Sequence, residues 1–415
     1  MEKNKILEII NDQQELFSKK DNLINREINL QNFFKGNEII IISGIRRCGK
    51  SSLLKIISKQ LNNLFVYINF DDIRFTDFQL NDFQLIEEIV SEKFSNKAIY
   101  LLDEIQNIPK WEKWVNNLYS KNIKVFVTGS NSSLLSSEIS TFLTGRNKTI
   151  QLYPFSFREF LNLKQINLNF KSNQEKIKII KYFKEYLEKG GFPLIIKNND
   201  LELSIQYFED IINKDIIKRY KIKKIKEINE LILYLFSNVA KQYSYSTLKQ
   251  ISGIKSLSMI KNYIEYLKQT FLADTIQRFD FSLKKQKVSS SKFYVLDNSF
   301  LKTIAFNFSQ NLGKRLENMV FTELKRRYKE IYYHYNKKEC DFIIKEKLKI
   351  KNAIQVCLSL ENPLTKKREI QGLLEALKDY NLKKGLILTM DTEQSLVIQN
   401  KQIIIKPVWK WLLNI

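Results

Sequence analysis

Two glycines, Gly44 and Gly49, bound a short loop that joins the apolar run EIIIIS (38 to 43) to the amphipathic stretch SSLLKIISKQL. No other feature restricts the fold as much. The loop reads Gly-Ile-Arg-Arg-Cys-Gly-Lys-Ser, and a strand entering it and a helix leaving it turn its backbone amides and the helix dipole toward a single anion. The spacing predicts a P-loop in which Gly44, Ile45, Arg46, Arg47, Cys48, Gly49, Lys50, Ser51 and Ser52 wrap nucleotide phosphates. Lys50 is expected to reach the β- and γ-phosphates and Ser51 to give a hydroxyl to Mg²⁺, so the expected ligands are ATP or ADP with Mg²⁺.

Around the loop, five β-rich runs alternate with helical patterns: EIIIIS, LFVYINF (64 to 70), AIYLLD (98 to 103), KVFVTGS (124 to 130) and TIQLY (149 to 153). Such alternation predicts α/β architecture with a mainly parallel sheet. The third run ends in two carboxylates. Asp103 is expected in the Mg²⁺ shell, and Glu104 as the base that polarises the attacking water. Ser130 and Asn131 follow the fourth run and would sense the γ-phosphate if that strand lies beside the first; otherwise they read as a strand-to-helix cap. Arg146, before the fifth run, reads either as a surface arginine or as a finger given to a neighbouring subunit's nucleotide.

At 415 residues the chain exceeds one ordinary core and should divide into two or three domains. The first boundary falls near residue 155. The three cysteines, Cys48, Cys340 and Cys357, are too scattered for a disulfide framework or a zinc site, and one histidine, His334, makes imidazole chemistry a poor expectation. No apolar stretch is long enough to span a membrane, so a soluble cytoplasmic protein is expected. Residues 1 to 150 hold 20 Lys+Arg and 18 Asp+Glu, a net of +2, whereas the remaining 265 hold 48 and 27, a net of +21. That asymmetry points to a polyanion, nucleic acid, as partner of the later part; a generally lysine-rich proteome is the other explanation.

From 225 to 300, three short helical patterns precede two strand patterns flanking a basic loop, a winged-helix outline. Ser256 to Lys268 would be its recognition helix and Lys284, Lys285 and Lys287 its wing, beside a basic run from Arg219 to Lys226. The other reading is a packing lid. After a helix at 313 to 328 come strand, hairpin, strand, helix and strand, a second small α/β domain.

The series GIRRCGKSS, YLLDEIQNIPKWEKW, VTGSNSSLL, LTGR, LYPFSFREF and GGFP, continuing through KDIIKRY, FYVLD, LENMVFTELKRR and PVWKWLL, resembles one group of AAA+ ATPases from archaea and bacteria. The resemblance implies an AAA+ P-loop core (1–155, with N-terminal helices), a helical lid (156–224), a winged helix (225–305) and a restriction-endonuclease-like domain (306–415). It gives Lys50, Ser51, Asp103 and Glu104 the roles above, Ser130 or Asn131 that of sensor, and Arg146 that of finger. In the tail, Glu317 and Asp341 match the endonuclease pattern. Gln355-Val356-Cys357 stands where Glu-x-Lys belongs, so a carboxylate and a lysine are missing and nuclease activity is not expected. The resemblance bears on the chemistry more than on the purpose; the function expected first is an ATP-hydrolysing homo-oligomeric switch or motor acting on DNA. The alternative is a nucleotide-gated protein-binding scaffold with an inactive nuclease-like tail.

Overall fold

Strands β1 (Ile39–Ser43), β2 (Phe65–Asn69), β3 (Ile99–Asp103), β4 (Val125–Gly129) and β5 (Asn147–Gln151) pair in the order β2-β3-β4-β1-β5, and every pair is parallel. The computed structural model describes residues 1–61, 64–94, 98–130, 143, 145–168, 172–305 and 312–415. All five positions of β1 and of β4 are buried, as a parallel sheet covered on both faces requires. Strand β5 begins two residues before the expected run and stops at Gln151, because its pairing with β1 runs from Ile39↔Asn147 to Ser43↔Gln151. Its first three residues are polar, Asn147 half-buried and Lys148 and Thr149 exposed, on an edge, so they carried no apolar signal.

Helix α1 (Lys3–Ser18) covers the opposite edge. Ile6, Ile9 and Ile10 recur at helical spacing and are fully buried. One turn on, Gln13 accepts from the Asn69 amide (2.8 Å) and donates to the Asn69 carbonyl (3.1 Å), while Gln14 accepts from Tyr67 N–H (2.9 Å). Two glutamines thus satisfy backbone groups that β2 would otherwise leave open. Helix α2 (Lys50–Ser58) follows the glycine loop, α3 (Asp82–Lys93) precedes β3, and α4 (Trp111–Ser120) precedes β4. Phe83 of α3 stacks on Trp114 of α4 with ring centroids 4.2 Å apart.

The chain divides into two compact units, Met1–Pro154 with Gln269–Phe271, and Phe155–Lys268 with Leu272–Ile415. The second opens with α5 (Phe157–Leu163) and α6 (Asn173–Lys189), each started by a serine–glutamate capping box. Helices α7 (Ile225–Ser237), α8 (Tyr245–Ser252) and α9 (Leu257–Gln269) accompany an antiparallel sheet of β6 (Gln242–Tyr243), β7 (Ala273–Gln277) and β8 (Ser291–Val295), in the order β6-β8-β7. The expected basic loop between the last two strands contains a helix, α10 (Leu283–Val288), so Lys284, Lys285 and Lys287 lie on a helical turn. Their neighbours Leu283 and Val288 are apolar but exposed, which the sequence pattern did not separate from a loop.

Helix α11 (Leu312–Arg327) leads to strands β9 (Glu330–Tyr335), β10 (Glu339–Glu346), β11 (Lys349–Val356), β12 (Lys384–Thr389), β13 (Gln394–Ile398) and β14 (Lys401–Pro407), with α12 (Pro363–Asp379) between β11 and β12. The sheet order is β13-β14-β12-β11-β10-β9. The hairpin β13–β14 was not expected: β13 is an edge strand whose Val397 is exposed. Among the described residues, no helix is long and apolar enough to cross a membrane.

Candidate functional site

The loop leaves β1 at Ser43 and enters α2 at Lys50, and its glycines are required by their surroundings. A Cβ on Gly44 would stand 2.1 Å from the Leu152 carbonyl oxygen, and Gly49 has φ +101°. Ile45 and Cys48 point inward, Arg46 is half-buried and Arg47, Ser51 and Ser52 are exposed. The Cys48 thiol faces the Leu152 carbonyl at 3.5 Å, and burial pushes its pKa up, so it packs the loop and is no nucleophile. The Lys50 ammonium is folded under the loop, 3.2 Å from the Gly44 carbonyl and 3.4 Å from that of Ile45.

Register brings the acidic pair alongside. Asp103 ends β3 and is buried; its carboxylate accepts from Tyr67 Oη (2.9 Å), from the Thr128 hydroxyl and from Ser51. Burial pushes its pKa up despite the hydrogen bonds from Ser51 and Thr128. Glu104 turns out of the strand in a left-handed conformation, φ 48° and ψ 43°, and its N–H donates to Thr128 Oγ1 (3.0 Å). Its carboxylate stands 3.6 Å from Lys50 Nζ and accepts from the Gln106 amide. Burial acts to raise its pKa, but Lys50, Gln106 and Arg46 outweigh burial and hold it below the ordinary range.

Strand β4 lies between β3 and β1, which meets the condition set for a sensor position, and Ser130 is buried one residue beyond the Ser43↔Gly129 pair. Asn131 lies outside the described residues. Arg146 is elsewhere. Its carbonyl accepts from Ile39 N–H at the start of β1, four residues or about 13 Å from the strand end where the loop leaves. Its guanidinium donates to Asn116 Oδ1 (2.5 Å) and lies over the Tyr119 ring.

Sequence reasoning missed three contributors. Thr128 joins Asp103 to Glu104; Tyr67 holds Asp103 from the neighbouring strand; and Arg26 donates to the Cys48 carbonyl (3.1 Å) and the Tyr153 carbonyl (2.6 Å), fastening the loop to the chain beyond β5. Only Thr128 had a signal, its place two residues before the sensor candidate.

In the tail, Glu317 of α11 and Asp341 of β10 come together at the floor of a cleft of about 800 Å³, with Gln355 beside them. An ammonium does reach this pair, though not from the position of the pattern's lysine: Lys292 of β8, read in the sequence as part of a winged-helix strand, contacts both acids. Cys357 is a buried thiol whose pKa burial pushes to about 12.

A family model described as an AAA domain matches residues 36–161, and one described as a domain of unknown function (DUF8612) matches residues 180–311. The uncharacterized protein MJ1544 of Methanocaldococcus jannaschii is 36% identical over 98% of this chain and 95% of its own length. An uncharacterized protein of Haemophilus influenzae is 32% identical over 90% of this chain and 95% of its own. Among solved structures, the Aeropyrum pernix ORC1 protein in complex with DNA aligns over 72% of this chain and 89% of its own, at 10% identity and a TM-score of 0.31.

Proposed function

The chain belongs to the same family as MJ1544 and carries an AAA domain, and from that premise we propose that it binds and hydrolyses ATP and couples the cycle to DNA as an oligomeric AAA+ switch or motor. One observation carries the reading: Lys50 and Glu104 meet at 3.6 Å beneath the glycine loop while Asp103 is hydrogen-bonded to Ser51. The residues fit the ligands. Gly44 and Gly49 leave room for backbone to approach phosphate, and a hydroxyl with a carboxylate is the hard-oxygen donor set that Mg²⁺ prefers. Ser51 and Asp103 would hold a Mg²⁺, which would supply charge neutralisation to the bound phosphates.

The chain's own residues do the rest. Lys50 exchanges its loop carbonyls for phosphate oxygens, a charge-assisted contact. Glu104, held ionised beside Gln106 and Arg46, accepts a proton from water as the water oxygen bonds to the γ-phosphorus and the bond to the ADP oxygen breaks. Thr128 fixes the carboxylate of Asp103 and the backbone of Glu104 together. Ser130 is the sensor candidate. Arg146, at the far end of the sheet from its own loop, serves the nucleotide of a second copy.

In this reading residues 1–155 are the ATPase core, 156–224 a helical lid, 225–305 a winged helix and 306–415 a restriction-endonuclease-like domain. DNA contact is supported by the exposure of Arg219, Lys221, Lys223, Lys224 and Lys226, and of Lys255 and Lys261 around α9. Tyr220 stacks on Tyr266 at 3.6 Å and so ties that basic run to α9. A second reading, a nucleotide-gated protein scaffold, draws on the neutralised acidic pair of the tail. The test is ATP turnover by purified protein with and without double-stranded DNA: stimulation supports the DNA reading, turnover indifferent to DNA favours the scaffold, and no turnover refutes both enzymatic claims. The same incubation in Mg²⁺ or Mn²⁺ should leave supercoiled DNA uncut.

A further inference from the structure

Lys292 has no exposed surface, yet its Nζ lies 2.9 Å from Asp341, 3.1 Å from Glu317 and 2.6 Å from Glu339. The lysine comes from β8 of the three-stranded sheet. The acids come from α11 and β10. Each partner is fixed independently of the ammonium: Glu317 also accepts from Tyr294 Oη and Lys314 Nζ, both at 2.8 Å, and Asp341 accepts from Val356 N–H at 3.0 Å. Gln242 donates to the other oxygen of Glu339 at 2.7 Å. The carboxylates are therefore held around one point, and Nζ is at that point.

A buried ammonium without counter-charge would lose its proton. Here burial pushes Lys292 down, but Asp341 and Glu317 reverse the effect and hold it well above the ordinary lysine range, so its charge is permanent. A divalent cation gathers hard oxygens at about 2.0 to 2.6 Å and needs the space between Glu317 and Asp341 that Nζ fills. Among the described residues no three carboxylate, histidine or cysteine side chains are arranged to ligate a metal.

We propose that Lys292 is the resident cation of the tail: its ammonium takes the position between Glu317 and Asp341 where a divalent metal would bind, so the cleft is closed to metal and works without it. Lys292 also locks the three-stranded sheet to the six-stranded one, alongside the Phe279 N–H to Tyr333 carbonyl bond of 2.8 Å and the Tyr333 Oη to Ser290 carbonyl bond of 2.7 Å. Nothing in this rests on the ATP site.

The test is Mn²⁺ titration of nucleotide-free, full-length protein followed by electron paramagnetic resonance. Wild-type protein should show no site that Asp341→Asn removes. Lys292→Met should gain one Mn²⁺ per chain, bound at least ~10-fold more tightly than any wild-type binding, and Asp341→Asn in that background should abolish it. A wild-type site lost in Asp341→Asn, or a folded Lys292→Met protein that gains none, overturns the proposal. If Lys292→Met does not fold, Lys292→Arg decides: it keeps the charge and should stay blank, and an Asp341-dependent Mn²⁺ site in it overturns the proposal.

Discussion

Lys50 Nζ lies 3.6 Å from Glu104 Oε1, so the residue read as the phosphate ligand and the residue read as the base neutralise each other in the structure. Phosphate must draw Lys50 away, and the exchange is favourable because a doubly charged oxygen cluster outbids two loop carbonyls and one carboxylate. Lys50→Ala is expected to weaken ATP binding by about 10- to 100-fold, the value of one charged hydrogen bond. A fluorescent-nucleotide titration measures it, and unchanged affinity would remove Lys50 from the phosphate site.

Thr128→Val keeps the shape of the side chain and deletes the hydroxyl shared by Asp103 and the Glu104 amide. A buried N–H left unpaired costs about 1 to 3 kcal/mol. Urea unfolding followed through Trp111 and Trp114 should shift to lower urea, and turnover should fall more than ATP affinity does. Loss of affinity alone would show that Thr128 does not position Glu104.

In the proposed reading Arg146, at the end of β1 away from its own loop, serves a nucleotide in another copy. Turnover per chain is therefore expected to rise with protein concentration, and Arg146→Ala should bind ATP normally, assemble, and hydrolyse ~10²-fold or more slowly. Analytical ultracentrifugation with ATP, paired with activity across dilution, is the check. A dilute monomer at full activity contradicts the trans role.

Burial and the Glu317 carboxylate push Asp341 up to about 7 from an ordinary 3.8. Asp341 shares Lys292 and Lys314 with Glu317 and Glu339, with Arg368 as a further positive charge acting on it, and the crowding of carboxylates makes the last proton hard to remove. Between pH ~4 and ~7 the folded chain holds a proton that the unfolded chain releases; the stabilisation is full below ~4 and is lost as the pH rises through ~7. Glu317, held at about 2, acts in the opposite sense but only below its ordinary 4.5, outside the range from pH 5 to pH 8. Asp341→Asn should flatten the decline in unfolding midpoint between pH 5 and pH 8. A parallel decline in both proteins would mean that Asp341 does not titrate there.

The glycine loop and the acidic pair were legible because contiguous residues carry them: Gly44, Gly49, Lys50 and Ser51 in one run, and Asp103 and Glu104 at one strand end. Thr128 and Tyr67 were not, because their approach to Asp103 depends on β3 lying between β2 and β4, which strand sequences do not specify. Lys292 was the largest gap. Its partners Glu317 and Asp341 are 25 and 49 residues away, and a lysine within SKFYV looks like the exposed face of a strand until the sheets pack. Edge strands β5 and β13 were misplaced or missed for the reverse reason, since exposure leaves little apolar pattern to read.

Single-turnover hydrolysis of bound ATP by Glu104→Gln tests the central claim most directly. Glutamine keeps the size of the side chain and one of its two acceptor oxygens but cannot accept the proton, so nucleotide affinity should hold while the hydrolytic rate falls by ~10²-fold or more. Hydrolysis at the wild-type rate would show that Glu104 is not the base and that the site's geometry serves nucleotide binding alone.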